Sequence, residues 1–135
     1  ARCLTLLGAD IVLYPTAIGS GLGGVGDFLT GTDTAIAWRS AMCGHAACNL
    51  LPVVTSNRIG REYMTEDRKS HLDFYGSSFI ADHEGQVVEQ AGRDQEEVLV
   101  HRFDFQKVKE YRDSWAVFRD RRPDLYGALT TLDGG

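Results

Sequence analysis

Three groups of side chains are spaced as chemistry could use them. Gly19-Ser20-Gly21-Leu22-Gly23-Gly24 fits the G-x-G-x-x-G pattern and follows a predicted strand, which invites a dinucleotide reading. That motif needs a helix opening at its last glycine to meet the phosphates. Pro15 interrupts the strand-to-glycine turn, and Gly26 and Gly31 work against such a helix. A flexible loop is the better reading, with a nucleotide-binding domain as the weaker alternative. Cys43-Gly44-His45-Ala46-Ala47-Cys48 puts two thiols and an imidazole on one helix. Five residues of helix turn the thiols about 140° apart, so they do not share one metal, and the chain offers no metal site. A nucleophilic cysteine wants a strand end or helix N-terminus beside a base or cation. Cys3, Cys43 and Cys48 lie within helix patterns or at their C-terminal side, which predicts buried packing for all three. Asn57-Arg58, just past a strand end, is better placed. Its guanidinium suits a bidentate carboxylate partner, in a structural salt bridge or in contact with substrate. Glu62, Glu66, Asp67 and Asp73 crowd one loop, and His71, His83 and His101 stand apart as solvated residues.

The elements that must position these groups read as follows. Residues 1–7 resemble the end of a helix, stopped by Gly8. Ile11 to Tyr14 is apolar on both faces, which predicts an internal strand closed by Pro15. Residues 19–32 are a glycine loop. A helix over 33–50, N-capped by Asp33 or Thr34, carries a small-residue face at Ile36, Ala37, Ser40, Ala41, Gly44, Ala47 and Cys48. Val53 to Ser56 is a strand, 61–73 a charged loop, Tyr75 to Ala81 a strand, and Glu84-Gly85 the turn of a hairpin with Gln86 to Gln90. Glu97 to Phe103 alternates as a strand does, and Asp104 can N-cap a helix over 105–114. The order is that of an α/β fold with a mixed sheet.

The chain has 135 residues, 14 basic against 19 acidic side chains and a net charge of −5. No basic stripe serves a phosphate backbone, so nucleic acid is not expected as a partner. No apolar run approaches the roughly 20 residues that span a bilayer, so no membrane partner is expected either. Three cysteines, an odd number with none after Cys48, do not make a disulfide framework and suit a reducing, cytoplasmic setting.

Several segments together resemble the nitrilase superfamily of carbon–nitrogen hydrolases. They are Gly8-Ala9-Asp10 running into Tyr14-Pro15, Trp38-Arg39 leading to Asn49 through Val54, Asn57-Arg58-Ile59-Gly60, Phe74 through Ala81 before Glu84-Gly85, and the tail Phe118 through Tyr126. The resemblance spans nearly the whole chain apart from 20–33 and 61–72. Tyr14 through Ser20 and the tail look most like the members that hydrolyse carbamoyl amines such as N-carbamoylputrescine.

The resemblance implies part of a four-layer αββα sandwich, with a mixed sheet and flanking helices. Residues 1–135 would be the C-terminal half of one hydrolase domain, with 116–135 a tail making an oligomer contact. It implies a Glu-Lys-Cys triad and a thioester intermediate, with no cofactor. All three catalytic residues are expected before Ala1, the Cys on the strand entering the helix that ends at Leu7, so the 135 residues alone are expected to be inactive. Tyr14, Pro15, Thr16, Ala17 and Ile18 are expected to line the substrate pocket. Members acting on carbamoyl amines carry Glu after the residue matching Ser20, where it binds the distal ammonium. Gly21 stands there instead, removing a charge-assisted contact worth about 1.5–3 kcal/mol. Asp27 or Asp33 is the candidate replacement. Expected partners are a small carbamoyl amine or amide and further copies of the chain. The face of helix 33–50 serves either core packing or such an oligomer contact. The alternatives are an amidase of another linear amide or ureido acid, and a non-catalytic fragment.

Overall fold

The computed structural model describes residues 1–22 and 33–134. In chain order the elements are α1 (Arg2–Leu6), β1 (Val12–Thr16), β2 (Gly19–Leu22), α2 (Ala35–Asn49), β3 (Val53–Asn57), β4 (Arg61–Tyr63), β5 (His71–Phe74), β6 (Phe79–Ala81), β7 (Val87–Gln90) and α3 (Phe105–Trp115). Among the described residues the strands form a mixed sheet ordered β1-β3-β6-β7 and a small antiparallel sheet ordered β2-β5-β4. β1 and β3 are parallel, with Val12 opposite Val53 and Thr16 opposite Asn57. Parallel neighbours need a crossover, and α2 lies within it.

The core forms where α2 covers one face of the mixed sheet. Trp38 and Ala46 of α2 and Leu51 after it pack with Val12, Val53, Phe79 and Ala81. The Trp38 and Phe79 rings meet edge to face with centroids 5.5 Å apart. The small-residue face of α2 is mostly open: Ile36, Ala37, Ser40, Ala41 and Cys48 are exposed, while Gly44 and Ala47 are partly buried, Ala47 close to the Gly85 turn.

Five local expectations are corrected. β1 is not closed by Pro15 but continues through it to Thr16, at one end of the strand order that the described residues form. Residues 19–22 of the expected glycine loop form β2, its remainder at 23–32 lies outside the described residues, and the charged loop holds β4 and β5, which pair across Arg61 and Asp73. Residues 75–78 are irregular, so β6 starts only at Phe79. Glu97 to Phe103 forms no strand: it has no neighbouring strand among the described residues, and Val98 and Val100 are exposed.

Asp104 caps α3 as expected, its Oδ1 accepting from the backbone N–H of Gln106 at 3.1 Å and Lys107 at 3.2 Å. Asp104→Ala is expected to cost about 1 kcal/mol, read as a lower urea midpoint with an unchanged slope.

Candidate functional site

The parallel pair sets the geometry. In open α/β sheets, ligands gather beyond the carboxyl ends of the strands. Here β1 exits through Ala17-Ile18 and β3 through Arg58-Ile59-Gly60. The Asn57 carboxamide bridges the two exits: its Oδ1 accepts from Ile18 N–H at 2.9 Å and its Nδ2 donates to the Ile18 carbonyl at 3.0 Å. That carbonyl also accepts from Tyr75 N–H at 3.1 Å. The Tyr75 ring is 5% exposed, and its hydroxyl meets Thr34 Oγ1 at 2.8 Å and accepts from Thr34 N–H at 3.1 Å. One chain of contacts therefore runs from the end of β3, through the exit of β1, to the start of α2.

Beside it lies a groove of about 240 Å³ lined by Ser20, Asp33, Asp73, Tyr75, Arg93 and Asp94. Asp33 is half exposed; its Oδ1 accepts from Ala35 N–H at 2.9 Å and its Oδ2 from Arg93 Nη2 at 2.7 Å. The Ala35 amide first, and then Arg93, hold its carboxyl below the usual carboxylate range, so it is ionised at neutral pH. Asp73 is occupied by Arg61 through bonds of 2.6 and 2.8 Å, which lower its pKa in the same way. A larger polar groove, about 500 Å³, lies at the end of β3 between Ser56, Asn57, Arg58, Ser78, Gly92 and Glu97. Arg58 pairs with Glu62 at 2.5 Å, both side chains about half exposed, and its guanidinium lies 4.2 Å from the centre of the Phe74 ring.

The five expected pocket residues do not converge on one cavity. Tyr14 stacks on His45 of α2 at 5.8 Å, and Ile18 packs against the core. Thr16 Oγ1 donates to the Ser56 carbonyl at 2.7 Å. Pro15 and Ala17 are exposed, and Ala17 lines a third groove, of about 210 Å³, with Arg58, Glu62 and Phe74. Asp33 stands in the charged groove beside Ser20. Asp27 lies outside the described residues.

The thiols are not uniformly buried filler. Within these residues Cys3 and Cys48 are exposed and Cys43 is partly buried. Burial pushes the Cys43 thiol up, the opposite of what a nucleophile needs. No three His, Cys, Asp or Glu side chains converge as a metal site among the described residues. No helix there is long and apolar enough to cross a membrane. Gly19 answers to packing rather than to phosphate: a Cβ on it would fall 2.0 Å from the Asp73 carbonyl oxygen across β5. His71 is largely shielded and 3.5 Å from Asp73, so it is not a solvated residue. His101 meets Glu89 at 3.3 Å.

The sequence reading missed Tyr75 and Arg93. Tyr75 looks like one more strand residue, and Arg93 follows Gly92 in a charged loop with no pattern. Asn57 stands out in the sequence only beside Arg58 and within the segment Asn57-Arg58-Ile59-Gly60, neither of which points to Ile18.

Comparison with known proteins adds the following. The family model for carbon-nitrogen hydrolase matches residues 1–113. N-carbamoylputrescine amidase of Solanum tuberosum is 50% identical over 99% of this chain and 43% of its own length. Citrullinase of Francisella tularensis is 44% identical over 96% of this chain and 42% of its own length. The crystal structure of a carbon-nitrogen hydrolase from Helicobacter pylori G27 superposes with a TM-score of 0.81 at 33% identity, covering 97% of this chain and 44% of that one. The chain thus spans less than half the length of the curated relatives it matches.

Proposed function

Because the chain belongs to the carbon–nitrogen hydrolase family, we propose that residues 1–135 are the C-terminal half of one hydrolase domain that cleaves an N-carbamoyl amine. The substrate is of the N-carbamoylputrescine kind; water converts it to amine, carbon dioxide and ammonia, as in polyamine biosynthesis. The observation that carries this reading is the 50% identity to N-carbamoylputrescine amidase across 99% of the chain. The Cys, Lys and Glu come from the part of the relatives' length that this chain does not span. The Cys attacks the carbamoyl carbon, the Glu takes and returns the proton, and the Lys with a backbone N–H stabilises the oxyanion. Water then hydrolyses the thioester. The 135 residues alone are inactive on this reading.

The exit of β1, Tyr14 to Ile18, forms one wall of the pocket. Asp33 receives the distal ammonium; its ionised, half-exposed carboxylate beside Ser20 supports that role. Asp27 is the second candidate on sequence grounds. The enzyme is cytoplasmic and homo-oligomeric. The exposed small-residue face of α2 and the exposed Leu125, Leu129 and Leu132 of the tail offer surface for those contacts.

A second reading, a ureido acid as substrate, is favoured by one observation. Arg93 Nη2 lies beside Asp33, so the pair presents both a cation for a carboxylate and an anion for an ammonium. The similarity to citrullinase accords with it.

Ammonia release by the native full-length polypeptide tests both. N-carbamoylputrescine as the better substrate supports the first reading and citrulline the second; no ammonia from any carbamoyl amine, ureido acid or linear amide sinks both. Asp33→Asn is expected to raise KM for N-carbamoylputrescine about ten- to a hundredfold, the equivalent of one lost charge-assisted contact, with kcat little changed.

A further inference from the structure

Asn57 does more than end a strand. The β1–β3 ladder closes with Thr16 opposite Asn57, and from there the backbones diverge. The Asn57 side chain takes over, reaching Ile18 with one accepted and one donated hydrogen bond, 2.9 and 3.0 Å long. Its carboxamide acts as a surrogate peptide group, extending the pairing beyond the last backbone partner. The reciprocal pair fixes the amide's orientation, since only Oδ1 can accept from Ile18 N–H and only Nδ2 can donate to Ile18 O. The Asn57 residue is itself anchored, its backbone N–H donating to Ser78 Oγ at 2.9 Å and tying it to the segment entering β6. The same Ile18 carbonyl takes Tyr75 N–H, and the Tyr75 hydroxyl holds Thr34, the neighbour of Asp33.

We infer that Asn57 is a positioning residue for substrate binding: its carboxamide holds the Ala17-Ile18 exit of β1 and, through Ile18 and Tyr75, the Thr34 end of α2. The inference rests on the reading that this exit borders the substrate pocket. Asn57 touches no reacting atom. Its loss leaves the Ile18 N–H without its acceptor and lets the pocket wall drift, and small misplacements cost rate steeply.

The test uses the native full-length polypeptide. Asn57→Ala is expected to lower kcat/KM for N-carbamoylputrescine by about tenfold or more, mainly through KM, and Asn57→Asp, which keeps the acceptor but loses the donor, by less. Hydrogen exchange at the Ile18 amide should quicken in Asn57→Ala. Asp82→Ala is the control, because Asp82 Oδ1 accepts from Glu84 and Gln86 N–H in the β6–β7 turn and has no bond to the β1 exit. At a similar loss of thermal midpoint, the control should keep kcat/KM within about twofold. An active wild type whose Asn57→Ala variant falls no further than the control, or keeps Ile18 protected, overturns the inference alone. A wild type inactive on every carbamoyl amine overturns the functional reading beneath it.

Discussion

Gly76→Ala is expected to lower the thermal midpoint of unfolding by on the order of 10 °C. Gly76 has φ +55°, and a Cβ there would lie 2.3 Å from the Arg93 carbonyl oxygen, with the Arg93 C and Cα also within 3 Å. Those atoms are backbone and cannot swing aside. The segment is also held on both sides: Gly76 N–H donates to Arg58 O and Ser77 N–H to Gly92 O, each at 2.9 Å. Left-handed backbone costs an alanine about 1 kcal/mol, and forced repacking adds about 1–3 kcal/mol. Circular dichroism during heating reads the shift. A drop below about 2 °C would show that the 91–94 segment yields freely.

Phe79→Ala is expected to be at least as damaging, at about 3–5 kcal/mol. Phe79 is 0% exposed and packs edge-on against Trp38. It is where α2 meets the mixed sheet, and β6 is only three residues long, so little around it can collapse to fill the void. Stability of ordinary domains is about 5–15 kcal/mol, which makes this loss a large share of the whole. Urea unfolding measures it, and Phe79→Leu should retain more than half of the lost stability. A loss under about 1 kcal/mol would mean that α2 does not depend on this contact.

Much of the fold was legible in the sequence because it is written locally. The Asp104 cap, the β6–β7 hairpin turn and the extent of α2 depend on residues a few positions apart, and each lies where its pattern puts it. The second sheet was not legible. β2 has glycine at two of its four positions and β4, Arg61–Tyr63, is exposed throughout, so neither shows the apolar alternation that marks a strand. Glu97 to Phe103 fails in the opposite sense: it alternates, but alternation makes a strand only where a neighbour supplies the ladder. At the candidate site, Asp33 was visible as a carboxylate near a helix start. The Asn57–Ile18 pair was not, since 39 residues separate its partners and no spacing rule links them. The thiols misled for a simpler reason: a helical pattern gives periodicity, but not which side faces the sheet.

The parallel pairing of β1 with β3 closes a stretch of about 40 residues, and that size bears on how the molecule tolerates change. Loop-closure entropy grows only with the logarithm of length. Ten more residues between β2 and α2 would raise the entropic cost of joining β1 to β3 by only about 0.2 kcal/mol. The same ten residues in the tight turn between β6 and β7 would multiply the length of the smallest closure in the sheet. Insertions in this crossover are therefore nearly free in folding terms. Selection can vary the length of the crossover while the core that α2 builds on the mixed sheet stays the same.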